Sequence, residues 1–143
     1  MYEPIFCNYL RRNIELNNLQ DKVRAICKGI GLMDGSMEVN VDTSVLEASG
    51  MEIGKKKIEV VSILKVIGTS NVDIAKFDCE TCEYFLIAVP CNILRRIPEY
   101  IIEYHGTPTP IIHKFKECGF KVKRINKHSG IFGIGLLHFR RLN

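Results

Sequence analysis

Val72-Asp73-Ile74-Ala75-Lys76-Phe77-Asp78-Cys79-Glu80-Thr81-Cys82-Glu83-Tyr84 is the stretch whose reading decides the fold of this chain. Its first half, from Val72 to Phe77, reads as the most buried-looking strand of the chain. The run ends abruptly in alternating acids and cysteines. A helix is expected from Glu83, interrupted or restarted at Pro90 and reaching Arg96. Proline tolerates a first turn but not a helix interior. Strand, acidic turn, helix is the unit from which layered α/β folds are assembled.

The pattern continues downstream. Tyr100 to Tyr104 reads as another strand, running out through Glu103-Tyr104-His105-Gly106. Thr107-Pro108-Thr109-Pro110 is a rigid loop that opens a helix over Ile111 to Cys118, closed by Gly119. Phe120 to Ile125 and Ile131 to Arg140 form a last antiparallel pair joined across His128-Ser129-Gly130.

Upstream, Pro4 suits a first helical turn, and Phe6, Tyr9, Leu10, Asn13 and Ile14 follow helical spacing until Asn17-Asn18 stops it. Val23 to Cys27 reads as a short strand. Asp34-Gly35 reads as a hairpin-type turn between two extended pieces, the second being Met37 to Val41. Residues 42–54 form a polar loop, Ile58 to Val61 a strand, and Ile63 to Ile67 a helical turn ended by Gly68.

Strands alternating with helices predict a single α/β domain over 1–143, with a mostly parallel sheet and a C-terminal antiparallel hairpin. Ligands of such sheets sit outside the carboxyl ends of the strands. Asp78, Glu80, Glu103 and His105 all fall there, on two strands expected to be neighbours. Glu83 reads instead as a structural acid at the start of its helix, where the dipole favours negative charge.

Composition narrows the class. At 143 residues and 46% hydrophobic, the chain suits one globular domain rather than a disordered one. Its longest nearly unbroken apolar run is Phe85 to Pro90. A membrane span needs roughly 20 residues, far more than this run supplies. Met1-Tyr2-Glu3-Pro4 lacks the marks of a signal peptide. A soluble, cytoplasmic protein is expected. Its six cysteines are read as reduced thiols, since a chain of this length buries a core without staples. His113 to Asn143 holds eight basic residues and one acid, a local +7 against a total of +4, which leaves −3 upstream. That excess reads as solvated faces of a helix and hairpin, not as a nucleic-acid surface.

The residues now carry a resemblance. Lys76-Phe77-Asp78-Cys79-Glu80-Thr81-Cys82-Glu83 resembles the Lys-Ile-Asp-x-Glu-Gly-x-Glu signature of FkbM-type methyltransferases. Tyr2-Glu3-Pro4, followed by the helix bearing Arg12-Asn13-Ile14-Glu15-Leu16-Asn17, is similar to the stretch after the second strand of class I S-adenosylmethionine methyltransferases. Glu103-Tyr104-His105-Gly106 and Gly119-Phe120 fit the same family. The resemblance implies a Rossmann-like sheet of seven strands, one of them antiparallel. It also implies S-adenosylmethionine as methyl donor and a hydroxyl of a small molecule or sugar as acceptor.

Residue by residue, the resemblance implies that Glu3 holds the cofactor ribose, for which a carboxylate can accept hydrogen bonds from both hydroxyls. It places Gly29 and Ile30 beside the adenine and Asp78 near the transferred methyl. Asp78 or His105 would then be the base, with Glu80 and Glu103 ordering the site. No metal site is assigned, although carboxylates with an imidazole also suit Mg, Mn or Zn. Two departures stand out. Thr81 sits where the family has glycine, and a β-branched residue is hard to reconcile with positive φ, so a different local turn is expected. The family's glycine-rich turn has no counterpart before Glu3. The domain is therefore expected to lack its first unit and to associate with itself or a partner that completes the sheet.

Two other readings remain open at this point. The chain could be a non-catalytic remnant serving as an oligomeric interaction module. Alternatively, Cys79-x-x-Cys82, after a strand and before a helix, has the placement of a thiol–disulfide pair.

Overall fold

Tyr100, Ile102 and Tyr104 alternate with Glu99, Ile101, Glu103 and His105, and this period of two organises most of the molecule. The computed structural model describes residues 4–40, 55–69, 71–128 and 133–142. These fall into two compact units, Met1–Gly29 with Asp34–Val60, and Ile30–Met33 with Val61–Asn143.

In the first unit, helix α1 spans Pro4–Leu16 and ends at Asn18, whose φ of 53° leaves the helical region. Its buried residues are Cys7 and Ile14, whereas Phe6, Tyr9 and Leu10 are exposed. Strands β1 (Gly29–Gly31) and β3 (Lys55–Ser62) each include residues assigned to both units, and β2 is Gly35–Asn40. They form a sheet of order β1-β3-β2, with β2 and β3 antiparallel from Gly35↔Val60 to Asn40↔Lys55.

The second unit adds helix α2 (Ile63–Thr69), strand β4 (Ile74–Phe77), a 3-10 helix (Cys82–Ala88) and the single turn α3 (Cys91–Leu94). Strand β5 (Glu99–His105), helix α4 (Thr109–Glu117), β6 (Phe120–His128) and β7 (Ile134–Arg141) follow. The sheet order is β4-β5-β7-β6. The returning arm of the last hairpin thus inserts between β5 and β6.

One face of this sheet is the core. Tyr100, Ile102 and Tyr104 of β5 and Leu137 and Phe139 of β7 pack with Ile111 and Phe115 of α4, and Leu86, Leu94 and Ile97 are among the other members of the cluster. Phe115 stacks on Phe139 at 4.2 Å and meets the edges of Tyr100 and Phe120 at 5.0 and 5.1 Å. Such offset and edge contacts are favoured by the ring quadrupole. Tyr100 keeps its hydroxyl satisfied in the core by donating to the Leu94 carbonyl at 2.9 Å.

Several expectations need correction. The sheets are mixed α/β but not mostly parallel: β4 and β5 pair in parallel, while β5/β7, β6/β7 and β2/β3 are antiparallel. Three strands, β4, β5 and β6, do share a direction, and β7 is the reversed one. Antiparallel ladders dominate because β7 arrives by a hairpin and not by a helical crossover.

Val23 to Cys27 forms no strand, since Val23 and Ile26 are exposed and the segment joins no ladder. Asp34-Gly35 does not join two paired strands either, because β2 pairs with β3. Strand β4, expected to be the best-buried one, lies at the sheet edge among the described residues and buries Phe77 alone. The polar loop 42–54 lies outside the described residues, as does the turn at Ser129-Gly130.

The thiols are not reduced. Cys7 pairs with Cys27, Cys79 with Cys82 and Cys91 with Cys118, with Cα separations of 5.9, 5.4 and 5.0 Å. All three separations are within disulfide reach. Their apolar surroundings suggested buried thiols, but Cys7 and Cys27, and Cys91 and Cys118, are brought together from segments 20 and 27 residues apart, while Cys79 and Cys82 face each other across one turn. No described helix is long and apolar enough to cross a membrane.

Candidate functional site

The parallel pairing of β4 with β5 places Phe77 opposite Ile102, so Asp78, one residue on, comes abreast of Glu103. Because β5 alternates, Glu103 and His105 project from the face opposite the aromatic core. Asp78, Glu103 and His105 can each offer one donor atom, all within 4.8 Å of one another. The cluster therefore sits at the carboxyl ends of two adjacent parallel strands, where open α/β sheets bind ligands.

The turn after β4 shapes the rest of the site. Glu80 and Thr81 both take left-handed backbone, with φ of 52° and 88°. The expectation that Thr81 avoids positive φ is therefore overturned, and the chain tolerates strain there that a glycine would not feel. This reversal launches the 3-10 helix inward and buries Glu83 completely.

Glu83 is the partner of His105. Its Oε1 accepts the His105 backbone N–H at 3.0 Å and lies 3.3 Å from Nδ1. Tyr84 reinforces the same junction, its hydroxyl lying 3.1 Å from the His105 carbonyl and 3.0 Å from that of Thr107. Burial, with Glu83 nearby, pushes the Tyr84 phenol up. Gly106, at φ 118°, leaves room for that hydroxyl, since an added Cβ would stand 3.1 Å from it.

On the other side of the ring, His105 Nε2 lies 3.8 Å from Glu80 Oε2 and 4.0 Å from Glu103 Oε1. Asp78 is bonded through Oδ2 to Lys76 at 2.6 Å, and that ammonium holds its carboxyl below the usual range. Asp78, Glu80 and Glu103, three of the four residues expected to be catalytic, thus gather around the imidazole of the fourth, His105. Glu83, read from the sequence as a structural acid, holds His105 through its backbone N–H and Nδ1, a partner that sequence reasoning did not identify.

The residues expected to hold the cofactor are placed differently. Glu3 lies outside the described residues. A Cβ on Gly29 would meet Ile58 Cδ1 at 3.3 Å and Val60 Cγ2 at 3.6 Å, so the space that the glycine leaves is taken up by packing against β3. Ile30 is half-buried and packs on the core of the second unit. Asp78 alone among the described members of that set presents an exposed carboxylate.

At the opposite end of β5, a groove of about 850 Å³ is lined by Glu99, Lys121, Lys123, His138, Arg140 and their neighbours. His138 Nε2 lies 2.5 Å from Glu99 Oε1, a satisfied pair with no claim on the acidic cluster. Comparison of the chain with protein-family models, curated proteins and solved structures finds no match.

Proposed function

We propose that this chain is an FkbM-type, S-adenosylmethionine-dependent methyltransferase acting on a hydroxyl of a small molecule or sugar. The observation that carries the reading is the gathering of Asp78, Glu80, Glu103 and His105 at the carboxyl ends of two neighbouring parallel strands, beside a reversed β7. A second observation supports the alignment behind it. Thr81 adopts a glycine-like φ of 88° at the position where the family signature has glycine.

S-adenosylmethionine, when bound, would supply a methyl group on a sulfonium, and displacement at that carbon needs an oxygen nucleophile. This chain's part is to position the hydroxyl and draw off its proton. Glu83, by engaging Nδ1, leaves Nε2 as the nitrogen directed at the acceptor side. Lys76 keeps Asp78 ionised there. Of the residues that would hold the cofactor, Gly29 and Ile30 are engaged in packing, so binding is expected to depend on Asp78 and Glu3.

Titration calorimetry of the chain with S-adenosylhomocysteine tests the reading. Saturable heat at micromolar strength, weakened by Glu3→Ala, supports it, and absence of heat at high protein concentration removes it.

One feature favours a second reading, an oligomeric interaction module. Phe6, Tyr9 and Leu10 form an exposed apolar strip at helical spacing on α1, and exposed Ile74 lies on edge strand β4. Strips and edges of this sort are surfaces for association.

A further inference from the structure

The disulfides of this chain differ in what they close. Cys7–Cys27 and Cys91–Cys118 join residues 20 and 27 apart in sequence, whereas Cys79–Cys82 spans a separation of 3. The stabilisation that a bridge supplies grows with the loop it closes. Cys79–Cys82 is therefore the weakest staple of the three. It is also the most open. Cys7 and Cys118 are buried, which shields one end of each long-range bridge, while Cys79 and Cys82 are both half-buried.

The turn inside the short bridge is a second observation. Glu80 and Thr81, the two residues between the cysteines, both hold left-handed backbone, with φ of 52° and 88°. Neither is glycine, so each conformation is strained and persists where its surroundings enforce it. The bridge is the covalent constraint that spans both residues. Breaking it lets the turn relax, which favours the dithiol form. Strained or exposed disulfides are the readily reduced ones.

Glu83 supplies a third observation. Its side chain is fully buried. Oε1 serves His105, at 3.0 Å from the backbone N–H and 3.3 Å from Nδ1. Oε2 lies 3.8 Å from Cys79 Sγ, its one hydrogen-bonding neighbour among the described residues. A disulfide sulfur carries no hydrogen to donate, whereas a thiol at Cys79 has one. A buried acceptor left without a donor is costly, and reduction of the bridge removes that cost.

We infer that Cys79–Cys82 is a thiol–disulfide exchange site whose substrate is a dithiol, while Cys7–Cys27 and Cys91–Cys118 are structural. A thiolate of the dithiol attacks Cys82 Sγ, so that the sulfur beside Glu83 departs. A mixed disulfide forms, the Cys79–Cys82 bond breaks, and its electron pair leaves on Cys79. Cys79 takes up the proton that the attacking thiol gave up, and its S–H then donates to Glu83 Oε2. The second thiol of the dithiol attacks the dithiol's own sulfur in the mixed disulfide. That closes the dithiol's disulfide and releases Cys82, which takes the second proton. Two electrons and two protons have passed from the dithiol to the chain. Oε1 stays on His105 throughout, so exchange stands apart from the methyl-transfer reading.

The test equilibrates the full chain, without oxygen, against graded ratios of reduced to oxidised dithiothreitol. Acid quenching, alkylation and peptide mass spectrometry then read each cysteine pair separately. Cys79–Cys82 should be half reduced at a ratio about tenfold or more below that for Cys91–Cys118. Thr81→Gly relieves the turn without touching either sulfur, and it should raise the Cys79–Cys82 ratio about fivefold. Exposure of the bridge alone would leave that ratio unmoved. The exchange site is overturned by a Cys79–Cys82 ratio no lower than that of Cys91–Cys118, or by a Thr81→Gly ratio that does not rise. Alkylation of both Cys79 and Cys82 in the parent before any reductant is added overturns it equally.

Discussion

Thr81 holds a backbone conformation that β-branched residues rarely adopt, and the consecutive left-handed pair Glu80–Thr81 is what turns Glu83 into the protein. Strain of this kind costs on the order of 1–3 kcal/mol per residue and persists where the surroundings enforce it. Thr81→Gly should therefore stabilise the chain by about 1 kcal/mol, offset in part by the greater freedom of glycine in the unfolded state. Chemical denaturation of the two proteins would measure this, and a less stable variant would mean that the threonine side chain contributes more than its backbone loses. Tyr100 gives a companion expectation in pH. Burial pushes its phenol well above the ordinary value, so the folded state keeps a proton that the unfolded state releases near pH 10. The sign follows from linkage: stability is unaffected below about pH 10 and falls as pH rises above it. Circular dichroism against pH should show alkaline unfolding that begins later in Tyr100→Phe, although that variant loses the hydrogen bond to Leu94 and starts less stable.

Helices α3 and α4 are short, and the disulfide between Cys91 and Cys118 ties the start of one to the residue after the other. Arg95 adds a hydrogen bond to the Cys118 carbonyl at 3.0 Å across the same junction. The two cysteines are 27 apart in sequence. Closing a loop of that size is worth about 3–4 kcal/mol on the chain-entropy account. Replacing both cysteines by serine should lower stability by about that amount, and mass spectrometry of the alkylated parent would establish whether the pair is oxidised in the purified protein. A parent that alkylates at both positions without reductant would contradict the pairing. At this level much was legible beforehand. Pro90 separates the two helical pieces as proline chemistry requires. Gly119 closes α4 with a φ of 79°, as a left-handed residue past a helix end does. Strands β5 and β7 and helix α4 follow their hydrophobic periods, whereas β6 shifts register between Arg124 and Asn126 and leaves Ile125 exposed. The misreadings came where a short apolar run has no intrinsic period to identify its partner. VRAIC had the composition of a strand and found no ladder. VDIAKF had the composition of a buried strand and became an exposed edge.

Association is where the exposed surfaces lead. Among the described residues β4 lies at the sheet edge with Ile74 exposed at 49%, and α1 shows Phe6, Tyr9 and Leu10 on its surface. Sedimentation should report self-association of the parent, weakened by Ile74→Lys or by Tyr9→Glu with Leu10→Glu, since a charge on an edge or strip opposes pairing. A monomer at high concentration would remove the interaction-module reading and leave the site intact.

The residue types of the candidate site, and their nearness to strand ends, could be read directly from the chain, because Asp78 follows the apolar end of β4 and Glu103 and His105 fall in the last residues of β5. Alternation along β5 likewise dictated that Glu103 and His105 share a face opposite Tyr100, Ile102 and Tyr104. Tertiary structure decided the rest. It chose β7 as the neighbour of β5, made the pairings mostly antiparallel, brought the cysteines together in pairs and turned Glu83 behind His105. The physical reason is one of range. Periodicity and turn chemistry act within a few residues, whereas ladder partners, disulfides and the burial of a carboxylate are settled by contacts between segments that are far apart in the chain.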